Sequence, residues 1–430
     1  MINKIKSKFQ SEDSRRITSN FIALSILHAT NILLPLITFP YLVRTLGVEM
    51  FGLIAFSQAF IVYFAMIADY GFNMSGIREI SLHKNKKNKL LQVFNSIMIA
   101  RFILTFLGFI SLCIIVFSFE KFSKDWEVYI LSYGVVIGTF LFPSWFFQGM
   151  EKMKYITILN ALSKGIFTIT IFIFVNNPDD FLYVPIFNSL GYILVGFISL
   201  YIIKKNFEMK FQLQKIKRIK IQFIKGWHLF ISRISISLYT ATNTFLLGIF
   251  TDNTIVGYYA IAEKTIRAFT FLFTPFNQSI YPHIVVLMKK KKVEALNFLK
   301  KSLTTISIIS FIVSTLVFIF AELLFTIIFG NKSLNSVEAF FVLIPIIFVN
   351  PISSIIYSIY LPSIKKDKYI SYATAFGVLL NLILIIIFYQ FFESKLFATA
   401  FSLSITEVTL MIIGLLLYYK TSITIRNKYD

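Results

Sequence analysis

Apolar runs of about twenty residues or more recur along the whole chain, each closed by a short polar segment, and a helix needs about 20 such residues to cross the hydrocarbon core of a bilayer. Twelve spans are predicted, at 17–43, 51–68, 93–118, 126–147, 155–175 and 182–203 in the first half, and at 226–250, 254–282, 302–328, 336–361, 369–389 and 396–419 in the second. The pattern predicts an all-α polytopic membrane protein of about 12 transmembrane helices. The longest polar connection, 204–225, follows span six and divides the chain into two six-helix bundles, 1–203 and 226–430, joined by a basic cytoplasmic linker. A weak repeat supports this division: Gly52 and Ala55 at the start of span two match Gly257 and Ala260 at the start of span eight, 205 positions later. Transporters built from repeats place the substrate site between them.

Charge adds orientation. Of 42 Lys and Arg residues, 32 lie in seven alternate connecting segments and five in the other six, while Arg101, Lys164, Arg233, Lys264 and Arg267 fall inside apolar stretches. Cationic flanks remain cytoplasmic on insertion, so both termini are predicted inside. The net charge of +21 is thereby assigned to contact with anionic lipid headgroups, and nucleic acid is not expected as a partner. A content of 57% hydrophobic residues, 50 of them Phe, with mean hydropathy +0.74, excludes a soluble globule. The first sixteen residues are basic and polar and run into span one without a small-residue cleavage site, which predicts a retained first helix.

Catalytic chemistry finds no foothold in the sequence. Cys113 is the single cysteine and lies in an apolar run, so neither an intrachain disulfide nor a cysteine metal site is expected. There is no nucleotide-binding loop, zinc-ligand cluster or nucleophile motif, and the external loops 119–125, 176–181, 329–335 and 390–395 are too short for a catalytic domain. No enzyme activity, metal or cofactor is expected, and transport would draw on an H+ or Na+ gradient, the membrane potential or the substrate's own gradient.

Polar residues within the spans supply the candidate site. At 100° per residue, Arg16, Asn20, His28, Asn31 and Thr38 share an arc of about 120° on span one, and His228, Ser232, Ser235, Tyr239 and Asn243 share a face of span seven. Two readings stand for each stripe: interhelical hydrogen bonding or the wall of a water-filled cavity. Their occurrence on the first helix of each half favours a central cavity, with His28, Asn31 and Asn243 as substrate-binding candidates. In span eight Glu263 and Arg267 are four apart and can pair on one face, with Lys264 offset by about 60°. Arg267 falls near the midplane, where a charge usually faces a cavity; the structural alternative is a Glu–Arg pair with a snorkelling Lys. Lys164 and Arg233 add positive charge, so buried cations outnumber anions and an anionic substrate such as a pyrophosphate is expected. Arg101 and Arg233 lie towards the cytoplasmic ends of their spans, which also suits snorkelling. Glu407, midway along span twelve, is a candidate for ion coupling or for helix packing.

The stretch from Pro35 to Ser81 carries a composite motif: Tyr41, Leu42, Arg44, Leu46 and Gly47 in a turn, Phe51 and Gly52 opening span two, then Asp69, Tyr70, Gly71, Phe72, Asn73, Arg78 and Glu79. It resembles the N-terminal signature of the O-antigen and polysaccharide-repeat-unit flippases. The resemblance implies membership of the superfamily that also holds multidrug/toxin extruders and lipid II flippases, with two bundles in a V, alternating access and a cationic central cavity. Lipid II flippases carry cavity arginines, one on the eighth helix, and Arg267 occupies a comparable place. Arg44 is then a gating candidate or an interfacial anchor. Asp69 and Arg78 bracket the turn after span two, where they would pair as an inner gate or fix the loop.

The combined reading is a flippase of the bacterial cytoplasmic membrane that carries an undecaprenyl-pyrophosphate-linked oligosaccharide to the outer leaflet. A polymerase and a chain-length regulator of the same pathway are candidate partners. A multidrug/toxin extruder of the same superfamily is the near alternative, set against by the excess of buried cations. A membrane O-antigen polymerase or glycosyltransferase is the alternative from another class, set against by the short external loops.

Overall fold

The computed structural model describes the backbone of residues 12–429, and their side chains except those of 12–33, 228–229, 231–240, 332 and 428–429. No strand occurs among the described residues. The long helices are α1 (Glu12–Asp69), α2 (Phe72–His83), α3 (Lys87–Ser118), an interrupted α4 (Trp126–Gly149), α5 (Met153–Phe174), α6 (Tyr183–Asn206) and α7 (Ile216–Phe250). They continue as α8 (Asn253–Phe271), α9 (Thr274–Lys290), α10 (Lys292–Ile319), an interrupted α11 (Ser336–Ser363), α12 (Asp367–Phe391) and α13 (Lys395–Tyr429). Among the described residues nine helices are long and apolar enough to cross a membrane.

Helix α1 joins the first two predicted spans across a kink at Gly47, whose φ of 76° is a left-handed value that a side chain would strain. Span eight, predicted as one helix, is two. Pro275 has no amide hydrogen to continue the ladder, and Leu272 and Phe273 bond instead to Phe269 and Thr270 in tight i→i−3 turns. Pro345 interrupts α11 likewise, opening a new helical segment after Ile344 that carries Pro351, and a π-helical turn follows at Ile355–Tyr360.

Two compact units emerge. The first comprises residues 1–46 and 57–237, and the second residues 47–56 and 238–430. In the first, Gly138 in α4 and Gly196 in α6 allow close approach: a Cβ on Gly138 would lie 2.6 Å from the Tyr192 carbonyl carbon. One end of it is an aromatic core of Phe94, Trp145, Phe146 and Phe147. The chain after α6 is tied down there. Asn95 donates to the Lys210 carbonyl (3.0 Å) and accepts from the Gln212 amide (3.2 Å), and Glu208 bonds Lys87, which holds its carboxyl below the usual carboxylate range.

Arg101 departs from the sequence expectation of a snorkelling side chain. It is only 3% exposed, and its Nη2 donates to the Thr139 carbonyl at 3.0 Å. The reason is local. Asp69, itself buried at the end of α1, lies within electrostatic reach, so the guanidinium finds a carbonyl and an opposite charge inside the bundle.

The second unit is built on a crossing of two glycines. A Cβ on Gly52 would fall 1.8 Å from the Asn253 carbonyl oxygen, and one on Gly257 would fall 2.2 Å from that of Val48. The two positions that match as a repeat in sequence therefore touch in space, and only glycine lets the backbones approach this closely.

Candidate functional site

Helix α8 is capped by Asp252, whose side chain accepts from the Ile255 amide at 2.9 Å. About 1.7 and 2.8 turns after Gly257 it presents Glu263 and Arg267 on one face. The pair forms as the four-residue spacing predicts. Glu263 Oε1 accepts from Arg267 Nη2 at 2.6 Å and Nε at 3.0 Å, and Oε2 accepts from Thr244 Oγ1 at 3.3 Å. Glu263 is buried, whereas Arg267 keeps 43% of its side-chain surface accessible. A buried carboxylate thus orients a guanidinium whose side chain stays partly accessible, an arrangement suited to charge-assisted contact with an anion.

What Arg267 reaches is a cavity of about 190 Å³ at the break between α8 and α9, lined also by Thr270, Thr274, Asn277, Asn350 and Ser354. Irregular backbone at membrane depth is tolerated where it lines such a cavity. The N-terminus of α9 opens on it and adds a partial positive charge. Asn277 donates to Ser354 Oγ at 2.7 Å, and Asn277 Oδ1 has no hydrogen-bond partner among the described residues.

Other candidates are placed elsewhere. Lys264 sits over the Phe51 ring, 5.0 Å from its centroid, and does not line this cavity. Asn243, 3% exposed, donates to the buried Tyr259 hydroxyl at 3.2 Å, so at this position the stripe acts between helices. Glu407 on α13 lines an adjoining cavity and lies within electrostatic reach of Arg267. Lys164 is half-buried on α5 in the first unit, and Arg44 is exposed just before the Gly47 kink. The side chains of His28, Asn31 and Arg233 lie outside the described residues.

The turn after α1 is also resolved. Tyr70 (φ 43°) and Gly71 (φ 71°) both have left-handed backbones, and the Tyr70 ring stacks on Phe230 at 4.5 Å. Arg78 is exposed while Asp69 is buried within reach of Arg101, and it is Glu79 that bonds α7, accepting from Lys225 Nζ at 2.7 Å. Gly226 passes so close to this turn that a Cβ there would lie 2.8 Å from the Tyr70 carbonyl oxygen.

Sequence reasoning missed Asn350, Ser353, Ser354 and Asn277. A signal existed in the run Asn350-Pro351-Ile352-Ser353-Ser354, which places three polar side chains and a helix breaker inside an otherwise apolar span.

Residues 17–288 match the family model described as polysaccharide biosynthesis protein. A protein named "Putative O-antigen transporter" in Escherichia coli (strain K12) is 31% identical over 336 residues, 78% of this chain and 81% of its own. One of the same name in Shigella dysenteriae is 28% identical over 265 residues, 62% of this chain and 66% of its own. Among solved structures, a lipid II flippase in an inward closed conformation superposes with a TM-score of 0.75 at 15% identity, covering 94% of this chain and 87% of that one. An inward-facing multidrug resistance transporter of the MATE family gives 0.70 at 13% identity, covering 96% and 100%. At these identities the likeness is one of fold. With the family model matched over more than half its length, and with its long apolar helices, this multi-pass membrane chain belongs to the polysaccharide biosynthesis protein family.

Proposed function

We propose that the protein is a flippase that carries a lipid-linked oligosaccharide, with undecaprenyl pyrophosphate as the anchor, from the inner to the outer leaflet of the bacterial cytoplasmic membrane. The observation that carries this reading is Arg267, oriented by Glu263 and opening on a polar cavity at a helix break. A diphosphate there receives charge-assisted hydrogen bonds in a low-dielectric setting, while its polyprenyl tail stays in lipid. The names of the relatives and the likeness to a lipid II flippase fold support the same reading. Lys264, next to the Glu263–Arg267 pair on α8, adds positive charge near the site, and Lys164, Arg233, His28, Asn31 and Asn243 are further substrate-contact candidates.

Twelve transmembrane helices form two bundles, 1–203 and 226–430, with both termini cytoplasmic and the segment 204–225 between them. Reporter fusions after residues 48, 122, 252 and 393 are expected to read external, and those after 86, 215, 290 and 366 internal. An external reading at 215 would break the two-bundle plan. Conformational change alone does the work, as alternating access driven by an H+ or Na+ gradient. Glu263 is a candidate for coupling, as is Glu407 if it does not contact substrate, and Arg44, Asp69 and Arg78 are gate candidates at the ends of the second span. The polymerase and chain-length regulator of the pathway would receive the product.

The test is reconstitution. Proteoliposomes holding the purified protein and a fluorescent polyprenyl-diphosphate sugar are expected to expose the probe to a membrane-impermeant quencher from both leaflets, faster under an imposed H+ or Na+ gradient. Protein-free rates with every gradient would refute transport of this lipid class.

A further inference from the structure

A second cavity adjoins that of Arg267, and the two share Asn350 and Ser354. It measures about 240 Å³ and is lined further by Ser353, Tyr357, Ser358, Thr374 and Glu407. Its chemistry differs from that of its neighbour. Among the described residues no cation lines it; hydroxyls, an amide, one carboxylate and a phenol ring do, beside Ile370, Ala373 and Leu410. Ser353 is 7% exposed and its Oγ has no hydrogen-bond partner among the described residues, an arrangement that costs stability unless something else bonds it.

The aromatic wall is fixed. Tyr357 donates its phenol hydrogen to the Leu410 carbonyl at 2.8 Å, and its ring lies against Gly414, where a Cβ would meet it at 3.1 Å. The π-helical turn Ile355–Tyr360 brings both Tyr357 and Ser358 to the cavity wall. The space is several times the ~30 Å³ share of one water. Among the described residues no group of three or more His, Cys, Asp or Glu is placed to hold a metal.

We infer that this second cavity is the subsite for the sugar joined directly to the diphosphate, held by hydrogen bonds with Asn350, Ser353, Thr374 and Glu407 and by contact with the Tyr357 ring. The inference rests on the reading of the Arg267 cavity as the anion site. In a sugar diphosphate lipid the first ring is bonded to phosphate, so its pocket must adjoin the phosphate pocket, and the shared wall of Asn350 and Ser354 meets that requirement. The two charges are sorted accordingly. Arg267 faces the anion, and Glu407 accepts from the N–H and O–H donors of the ring. A site built to bond such donors discriminates against a ligand that lacks them.

The test uses the full chain in detergent micelles and two probes, a short polyprenyl diphosphate and the same lipid carrying one N-acetylhexosamine. Wild-type protein is expected to bind the sugar-bearing probe about tenfold more tightly than the bare one. Ser353→Ala and Tyr357→Leu should each reduce that preference at least about threefold through the sugar-bearing probe alone. Ser353→Ala changes little volume and so keeps the test decisive if the Tyr357 variant misfolds. Arg267→Gln should weaken both probes together; if it weakens neither, the anion site itself is misassigned. Equal affinity of wild type for the two probes, or parallel weakening of both by the Ser353 variant, would overturn the sugar subsite and leave the anion site standing. Saturable Na+ binding lost in Glu407→Gln, with no sugar preference to lose, would make the cavity an ion site.

Discussion

Arg267→Ala is expected to abolish surface glycan while leaving protein abundance near that of wild type. The substitution removes both hydrogen bonds to Glu263 Oε1 and leaves that carboxylate the Thr244 hydroxyl as its hydrogen-bond donor among the described side chains. Breaking a buried ion pair costs about 3–5 kcal/mol, and less here because Arg267 is partly accessible and water can reach the gap. A double variant, Arg267→Gln with Glu263→Gln, separates stability from transport: it leaves no unpaired carboxylate, so abundance should equal that of wild type while export stays lost. Arg267→Lys keeps a charge without the planar two-nitrogen grip and should retain partial export. Surface glycan measured with anti-glycan antibody, against protein measured by immunoblot, reads both quantities. Full export in Arg267→Gln would show the cation to be dispensable and return the Glu263–Arg267 pair to a structural role.

The parts of the fold that follow from the solvent were legible in the sequence. In lipid each backbone group must be satisfied within its own helix, so apolar length located the nine described helices that are long and apolar enough to cross a membrane, against twelve spans predicted, and the break at Gly47 fell where the turn between spans one and two was expected. The break inside span eight was not foreseen, although Pro275 was visible, because a proline in a membrane helix can be absorbed as a kink or can end the helix, and neighbouring packing decides which.

The site was legible where its residues are close in sequence. Glu263 and Arg267 are on one helix face, and helical spacing alone brings them together. Asn350, Ser354 and Glu407 join that neighbourhood from two other helices, and no single-sequence spacing encodes which face of α11 or α13 turns towards α8. Arg101 failed for the same reason. Position along the helix suggested an outward route, whereas the carbonyl of Thr139, on a different helix, supplied an inward one.

Gly52→Ala is expected to give the largest loss of folded protein of any single methyl addition in the second unit. The new Cβ would sit 1.8 Å from the Asn253 carbonyl oxygen and 2.6 Å from the Gly257 amide nitrogen. Both are backbone atoms, so no rotamer change can relieve the clash; the helices must separate, and overpacking of this kind costs about 1–3 kcal/mol or more. Gly257→Ala meets the Val48 carbonyl oxygen at 2.2 Å and should be nearly as severe. Trimming a neighbouring side chain should rescue neither, which distinguishes backbone contact from crowding between side chains. Gly165→Ala is the control: nothing lies within 4 Å of its Cβ position in α5, and alanine there should be neutral or stabilising by up to about 1 kcal/mol. The consequence reaches the candidate site, because α8 carries both Gly257 and Arg267 and any separation at the crossing displaces the guanidinium. Thermal stability of detergent-purified protein by size-exclusion chromatography should therefore fall in the order wild type, Gly257→Ala, Gly52→Ala, with export falling in parallel. Wild-type stability in Gly52→Ala would mean that the two helices do not cross through these glycines.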